Sequence, residues 1–320
     1  MNYFIKKCFL LLLTCPGNNL FAQTEGRDFT AVDAYVKSLG SLETMSMGTI
    51  NNVVSNKFPD KIDRVRAIYD WIALNISYDI KAARSNSTTK NSPTDVLLSR
   101  KAVGIGFAGL FQDMCSSADI RCLTVDGFVK NNTAQIGEKG AEINHSWAVI
   151  QLGLSPETWY YVDPAWGSGY ADAELKVFTK SFTDAYFFSD KAIFNLSHYP
   201  DNQAWKLGSA PKNKKDFFEL PVIKVAALEF DMRKFTPNDG IVKAKVNKAV
   251  SFSYILNSKT DISKVTLGIG ERKKYKLKDV DFVFTNGTLS FSYKFDEDGG
   301  YPVMVMINGK ELMAYTVEVN

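Results

Sequence analysis

Three short segments carry the residue types that could do chemistry, and they follow one another in an informative order. Residues 101–108 open a predicted helix at Gly104, His145 opens a predicted strand, and Asp163 closes the next strand. A thiol enzyme needs such a layout, with a nucleophile at a helix N-terminus, where the dipole lowers a cysteine's pKa. A histidine pairs with that nucleophile, and a carboxylate orients the histidine.

The elements that must position these segments can be predicted from periodicity. Phe107, Leu110, Phe111 and Met114 recur at helical spacing, which predicts a core-facing helix over residues 105–118. Alternating patterns predict three strands at residues 121–129, 146–152 and 159–163. Upstream, residues 28–81 have a helical pattern. Residues 82–91 are polar, which predicts a loop, and Ser92-Pro93 predicts the start of a capped helix. Helices followed by strands indicate an α+β domain.

The rest of the chain has a different pattern. Residues 206–220 are rich in Lys, Asn and Pro, which indicates a linker or a covering segment. Beyond them, Asn286-Gly287 and Asn308-Gly309 each lie between strand-like runs, a strong signal for a β-hairpin. We therefore predict a first domain over residues 24–205 and a small all-β, immunoglobulin-like sandwich over residues 221–320, although no Cys…Trp…Cys pattern supports a true immunoglobulin domain.

The first domain resembles the transglutaminase-like superfamily and, within it, the kyphoscoliosis-peptidase branch. Besides the three segments above, the resemblance rests on these stretches: Asp63-Arg64-Val65-Arg66-Ala67-Ile68-Tyr69-Asp70-Trp71-Ile72, Ile76-Ser77-Tyr78-Asp79, Asp95-Val96-Leu97, Phe187-Phe188-Ser189-Asp190, His198-Tyr199-Pro200 and Trp205. It implies a papain/transglutaminase-like core, with helices packed on an antiparallel sheet. Such sequences in secreted bacterial proteins often resemble this branch.

The resemblance also implies roles for individual residues. The family has a cysteine at the head of the helix, followed by Gly, an aromatic residue and Ala, and this alignment puts Gly104 at the cysteine's position. His145 then takes the place of the base and Asp163 that of the orienting acid. Glycine offers neither thiolate nor hydroxyl, so the resemblance implies a pseudoenzyme. The alternative is a purely structural role, in which His145 and Asp163 form only a buried hydrogen bond.

Other side chains are weaker candidates. Cys115 lies eleven positions down the same helix, about 16 Å from its start, which is too far to replace a nucleophile at position 104. Cys115 and Cys122 are predicted to be buried small apolar residues, with a mutual disulfide as the alternative. Ser99 could act only beside a well-placed base. Trp147 and Trp166 are predicted to form core and cleft wall and to contact a substrate, with a cofactor-binding box as the alternative.

The N-terminus and the composition restrict the class of protein. Lys6 and Lys7 precede a short apolar run, which predicts a secretory signal over residues 1–23; lipid attachment at Cys15 is the alternative. Removing the signal lowers the net charge from +3 to +1, so no nucleic-acid footprint is expected. We expect no membrane span after signal removal, no cofactor and no metal, since His145 and His198 are the only histidines.

Three functions are compatible with these patterns. The preferred one is a secreted, periplasmic or cell-envelope pseudoenzyme whose cleft binds a peptide or glycan. The second is an active cysteine-peptidase-like hydrolase or acyl transferase with a displaced nucleophile. In the third, the C-terminal sandwich mediates adhesion and the first domain is a spacer.

Overall fold

The structure is a computed structural model that describes residues 26–43, 45–172, 174–270 and 274–320. The predicted signal, including Cys8 and Cys15, lies outside the described residues. Within them, no helix combines the length and the apolar character needed to cross a membrane.

Helices form most of the first part of the chain. They are α1 (Thr30–Leu39), α2 (Met47–Ser55), α3 (Lys61–Asn75), α4 (Ile80–Arg84), α5 (Pro93–Ser99), α6 (Gly104–Ser117), α7 (Pro164–Ser168), α8 (Lys191–Ser197), α9 (Lys214–Glu219) and α10 (Val225–Glu229). The accompanying strands are β1 (Ser77–Tyr78), β2 (Lys101–Ala102), β3 (Arg121–Val129), β4 (His145–Gln151), β5 (Trp159–Val162), β6 (Gly169–Ala171), β7 (Phe178–Lys180) and β8 (His198–Pro200). This arrangement confirms the predicted mixture of helix and sheet.

The helical region predicted over residues 28–81 is interrupted in the structure. Gly40 follows α1 with a φ of 65°, which ends the helical path, and Asp60 caps α3, because its side chain accepts hydrogen bonds from the backbone N–H groups of Ile62 and Asp63. The predicted loop over residues 82–91 begins inside α4. Ser92 caps α5 as predicted, because its hydroxyl accepts a hydrogen bond from the backbone N–H of Asp95.

The central sheet has the strand order β5-β4-β3-β8, and every neighbouring pair is antiparallel. Strand β4 is buried on both faces, which explains its nearly continuous apolar sequence. Ala148 and Ile150 pack with the helices on one face. Trp147 and Val149 pack on the other face with Tyr186, within a cluster that also includes Phe194.

The C-terminal part forms two sheets around one shared core. Its strands are β9 (Val222–Ile223), β10 (Lys234–Thr236), β11 (Ile241–Ala244), β12 (Ala249–Ile255), β13 (Val265–Ile269), β14 (Lys276–Asp279), β15 (Phe282–Thr285), β16 (Thr288–Lys294), β17 (Gly299–Ile307) and β18 (Lys310–Val319). One sheet has the order β10-β12-β16-β15, and the other has β11-β18-β17-β13-β14, with β9 also paired to β18. Strands β11 and β18 are parallel.

Both predicted hairpins are present. Asn286-Gly287 joins β15 to β16, and Asn308-Gly309 joins β17 to β18. All four turn residues have positive φ, between 51° and 79°, as a two-residue type I′ turn requires.

The stretch predicted as a linker or covering segment carries helix α9. Phe217 and Phe218 of this helix are buried in a cluster with Phe128 of β3 and Tyr199 of β8. The buried Lys130 at the end of β3 donates a hydrogen bond to the backbone carbonyl of Phe217. Residues 214–219 therefore cover the central sheet.

Candidate active site

Helix α6 begins at Gly104 with an open end. Val103 occupies the N-cap position in an extended conformation, and its side chain makes no capping hydrogen bond. The apolar face of the helix, which includes Phe107 and Phe111, is fully buried and fixes the helix against the sheet. Gly104 is buried at the tip, whereas the neighbouring Ile105 is 40% exposed and faces solvent. Ile105 therefore does not fill the space next to Gly104.

His145 is the first residue of β4, and pairing with Gly127 of β3 fixes its backbone. Its Nε2 lies 2.7 Å from Oδ2 of Asp163. Asp163 directly follows β5 and caps α7, because its Oδ1 accepts the backbone N–H groups of Ala165 at 2.9 Å and Trp166 at 3.0 Å. One carboxylate oxygen thus anchors the turn and the other receives the histidine.

The remaining ring nitrogen of His145 faces Gly104. A Cβ added at position 104 would lie 2.8 Å from Nδ1 of His145 and 3.1 Å from Cε1. With Nε2 directed at the Asp163 carboxylate, Nδ1 is the ring nitrogen that faces the helix tip. The structure therefore brings together Gly104, His145 and Asp163, as the sequence predicts.

A fourth residue, His198, joins this group. Its Nε2 lies 3.2 Å from the same Oδ2 of Asp163, and its Nδ1 lies 2.8 Å from the hydroxyl of Ser197. The ring is fully buried and stacks on Phe194, with 3.9 Å between centroids. The sequence contained two signals for this residue, since His198 is the only histidine besides His145 and it begins the His198-Tyr199-Pro200 stretch of the resemblance. No short spacing connects it to Asp163, because β8 reaches the site through the sheet.

The pKa values in this cluster follow from burial and pairing. Burial alone raises the pKa of Asp163, but the charge and hydrogen bond of His145, and then those of His198, lower it below its ordinary value. Burial lowers the pKa of His198 to about 4, since the hydrogen bond and charge of Asp163 offset only part of the burial effect. At neutral pH the carboxylate is therefore ionised and His198 is neutral. The Ser197 hydroxyl lies 2.8 Å from Nδ1 of His198 and donates a hydrogen bond to the backbone carbonyl of Phe194 at 3.0 Å.

Residues 49–164, which include Gly104, His145 and Asp163, match the transglutaminase-like superfamily. The chain carries a transglutaminase-like domain. It is related to kyphoscoliosis peptidase, with 31% identity to the mouse protein over 66% of this chain and 34% of that one. The human protein is 32% identical over 62% of this chain and 31% of its own length. Lim and transglutaminase domain protein ltd-1 of Caenorhabditis elegans is 23% identical over 78% of this chain and 35% of its own length. The chain thus spans only about a third of the length of these relatives.

The two tryptophans predicted to line the cleft differ in exposure within the transglutaminase-like domain. Trp147 is fully buried, with its ring 6.2 Å from that of His145 and 5.2 Å from that of His198. This tryptophan therefore lies behind the histidines, because alternate residues of β4 point into the packed second face of the sheet. Trp166 is half-buried, and its ring lies 5.6 Å from His145 and 4.5 Å from His198. Of the two, Trp166 is the one that can contact a ligand.

The other predicted candidates lie elsewhere in the transglutaminase-like domain. Cys115 and Cys122 are both free thiols and both buried. Burial, followed by the neighbouring thiol of Cys122, raises the pKa of Cys115, so this sulfur stays protonated and unreactive. The hydroxyl of Ser99 donates to the backbone carbonyl of Asp95 at 2.8 Å and belongs to the end of α5.

One group of side chains in the described residues could hold a metal ion. Ligand atoms of His145, Asp163 and His198 lie within 4.8 Å of one another. Both histidines already hydrogen-bond to one oxygen of the carboxylate, and these bonds account for the closeness of the three side chains. This grouping was not predicted from the sequence, because the spacing of the two histidines does not resemble a metal-binding motif.

Proposed function

We propose that the transglutaminase-like domain is a catalytically inactive binding module, and that Gly104 stands where its enzymatic relatives carry a nucleophilic cysteine. One observation carries the proposal: the Cβ direction of residue 104 points at Nδ1 of His145, at 2.8 Å, while Nε2 is engaged by Asp163. A base and its orienting acid thus face a position that has no side chain to activate.

The contacts of His145 and Ser146 within the described residues support this proposal. Among the hydrogen bonds of the described residues, that to Asp163 is the one made by the His145 side chain. Ser146, the nearest hydroxyl in sequence, directs its Oγ to the carboxylate of Asp126 at 2.6 Å. The ring of His145 also fills the space over Gly104, which leaves little room for a water molecule between them. These contacts favour an inactive domain over a hydrolase with a displaced nucleophile.

The proposed ligand is an extended peptide, with a glycan strand of the cell envelope as the other candidate. Two relatives are named as peptidases, which suggests a cleft shaped for a polypeptide. The apolar N-terminal run with its preceding lysines supports a secreted, periplasmic or cell-envelope location in a bacterial host.

Amide-hydrolysis and transamidation assays test the proposal on wild type and on His145→Ala. We expect both proteins to give the reaction rate of a control without protein, since the histidine has no nucleophile to activate. Turnover in wild type that His145→Ala abolishes would establish the displaced-nucleophile alternative instead.

A cysteine placed at position 104 provides the matched control for the geometry. Gly104→Cys should react with iodoacetamide below pH 7 faster than Ile105→Cys, which shares the helix end but points to solvent. Wild type supplies the background from the four cysteines of the chain. Equal rates for the two variants would contradict the assignment of position 104 as the nucleophile's position.

A further inference from the structure

A cavity of about 670 Å³ lies on the flank of the transglutaminase-like domain, beside strands β1 and β2. Its lining includes Tyr78, Asp79, Lys81, Arg84, Lys101 and Phe178. A volume of this size is typical of sites that hold a small ligand or a few residues of a peptide.

The rim of this cavity is positively charged. Lys81, Arg84 and Lys101 are all exposed, and none of them forms an ion pair within the described parts of the chain. Asp79 is the one acidic residue in the lining. Its carboxylate caps α4 by accepting the backbone N–H of Ala82 at 2.9 Å. Because the chain as a whole has a net charge of only +3, this concentration of unpaired cations is local.

Aromatic rings contribute an apolar wall. Tyr78 and Phe178 are both half-buried, and their ring centroids lie 6.2 Å apart with a tilt of 38°. A wall of partly exposed rings below a cationic rim favours a ligand that combines carboxylates with a flat or apolar group.

The cavity adjoins the candidate active site. Tyr78 pairs with Ala102, and the backbone N–H of Asp79 donates to the carbonyl of Ala102 at 2.8 Å. Lys101 precedes Gly104 by three residues, so its Cα lies within roughly 11 Å of the helix tip. Burial, and next the negative charge of Asp163, raises the pKa of Tyr78, which indicates that this tyrosine is electrostatically coupled to the site.

We propose that this cavity is a subsite for an acidic peptide segment, with carboxylates at Lys81, Arg84 and Lys101 and an aromatic or apolar side chain against Tyr78 and Phe178. The inference rests on the proposed binding function and specifies its ligand. Carboxylate groups on an anionic glycan would meet the same cations, but the ring wall favours a peptide with an aromatic side chain.

Isothermal titration calorimetry on the full chain tests the subsite. The probes are a capped peptide of glutamates around one tyrosine, its counterpart with glutamine for each glutamate, and an oligogalacturonate. The test variant is Lys81→Gln/Arg84→Gln/Lys101→Gln. A matched control removes the same charge from exposed lysines of the C-terminal sheets: Lys243→Gln/Lys245→Gln/Lys248→Gln.

We expect the glutamine peptide to bind at least roughly tenfold more weakly than the acidic peptide. The subsite variant should lose about the same factor for the acidic peptide, and the control should change its Kd by less than about twofold. Equal affinity for the two peptides, or equal losses in the two variants, would overturn the subsite. Tighter, subsite-dependent binding of the oligogalacturonate would overturn the peptide class. Cleavage of the acidic peptide during titration would contradict the proposed inactivity while leaving the charge preference measurable.

Discussion

At the scale of single residues, the unusual feature is a carboxylate oxygen shared by two imidazoles. Oδ2 of Asp163 accepts from His145 at 2.7 Å and from His198 at 3.2 Å, while Oδ1 holds the turn at the start of α7. Four donors on one buried carboxylate explain why it remains ionised despite its burial. His198 is a positioning residue in this arrangement, since it reaches position 104 only through Asp163 and His145.

The buried His198 should make stability depend on pH. Its pKa of about 4 in the folded protein is below the ordinary 6.5, so between these values the unfolded chain binds a proton that the folded chain does not. Stability is therefore lost as pH falls from 6.5 toward 4, by up to about 3 kcal/mol at 1.36 kcal/mol per pH unit. His198→Gln keeps a donor to Asp163 but does not titrate.

Urea unfolding at several pH values between 7 and 4.5 measures this effect. We expect the wild type to lose more free energy of unfolding over this range than His198→Gln does. Asp163 contributes little to the difference, because its ordinary pKa of 3.8 lies below the range. Parallel losses in the two proteins would mean that His198 is not buried as a neutral ring.

At the scale of elements, helix α6 depends on glycines with different surroundings. A Cβ at Gly106 would lie 2.5 Å from Oδ1 of Asn91 and 2.8 Å from Cβ of Ala102, so this glycine permits the close packing of α6 on its neighbours. Oδ1 of Asn91 also accepts the N–H of Val103 at 3.3 Å, which helps to fix the start of the helix. A Cβ at Gly109 would meet no atom within 4 Å.

This contrast predicts opposite effects of the same substitution within one helix. Gly109→Ala should raise the free energy of unfolding by about 0.5–1 kcal/mol, because alanine restricts the unfolded chain and favours the helix. Gly106→Ala should lower it by about 1 kcal/mol or more, since overpacking outweighs the gain in helix propensity. Chemical denaturation of the two variants beside wild type checks both signs. A stabilising Gly106→Ala would show that the α5–α6 contact is loose.

Elements were predictable where one local signal dominated. The apolar spacing in α6, the cap at Ser92 and the two Asn-Gly turns gave boundaries within about two residues of the observed ones. Strand β3 begins and ends as predicted. The short strands β1 and β2 have no such signal, because two paired residues carry no period, and their pairing depends on where α3 and α5 end. The position of His198 beside Asp163 could not be predicted either, because it depends on tertiary structure.

At the scale of the whole molecule, side chains join the transglutaminase-like domain to the sheets that follow it. Ile193 of α8 packs in the core of the C-terminal sheets, and Nζ of Lys224 donates a hydrogen bond to the backbone carbonyl of Asn131 at 3.0 Å. Helix α9 lies over the central sheet, where the ammonium of Lys130 is 3.7 Å from the ring centroid of Phe217. Through these contacts the first domain packs against the C-terminal sheets.

Lys130 gives this junction a pH dependence of its own. Burial lowers the pKa of Lys130 from 10.5 to about 7, so between these values the unfolded chain holds a proton that the folded chain lacks. Stability should therefore rise with pH above 7, by at most about 1.4 kcal/mol per pH unit. Lys130→Met should lack this rise, whereas Lys214→Met, which alters a half-buried lysine over Phe128 in the same cluster, should retain it.

Thermal or urea unfolding at pH 7, 8 and 9 compares these three proteins. Equal slopes for wild type and Lys130→Met would indicate that the ammonium stays charged against the carbonyl of Phe217 and its ring.

The imidazole over Gly104 also bears on how such a domain could evolve. On the proposal that a thiol has been lost here, the ring now fills the space that a returning side chain would need, with 2.8 Å between Nδ1 and the new Cβ. That ring is fixed by Asp163, which is fixed in turn by His198 and by the backbone of α7. A cysteine at position 104 would therefore require a small shift of this ring before the two side chains could pair. On this proposal, restoring the chemistry would require both a thiol and a shift of the ring, whereas refining what the cleft binds would require neither.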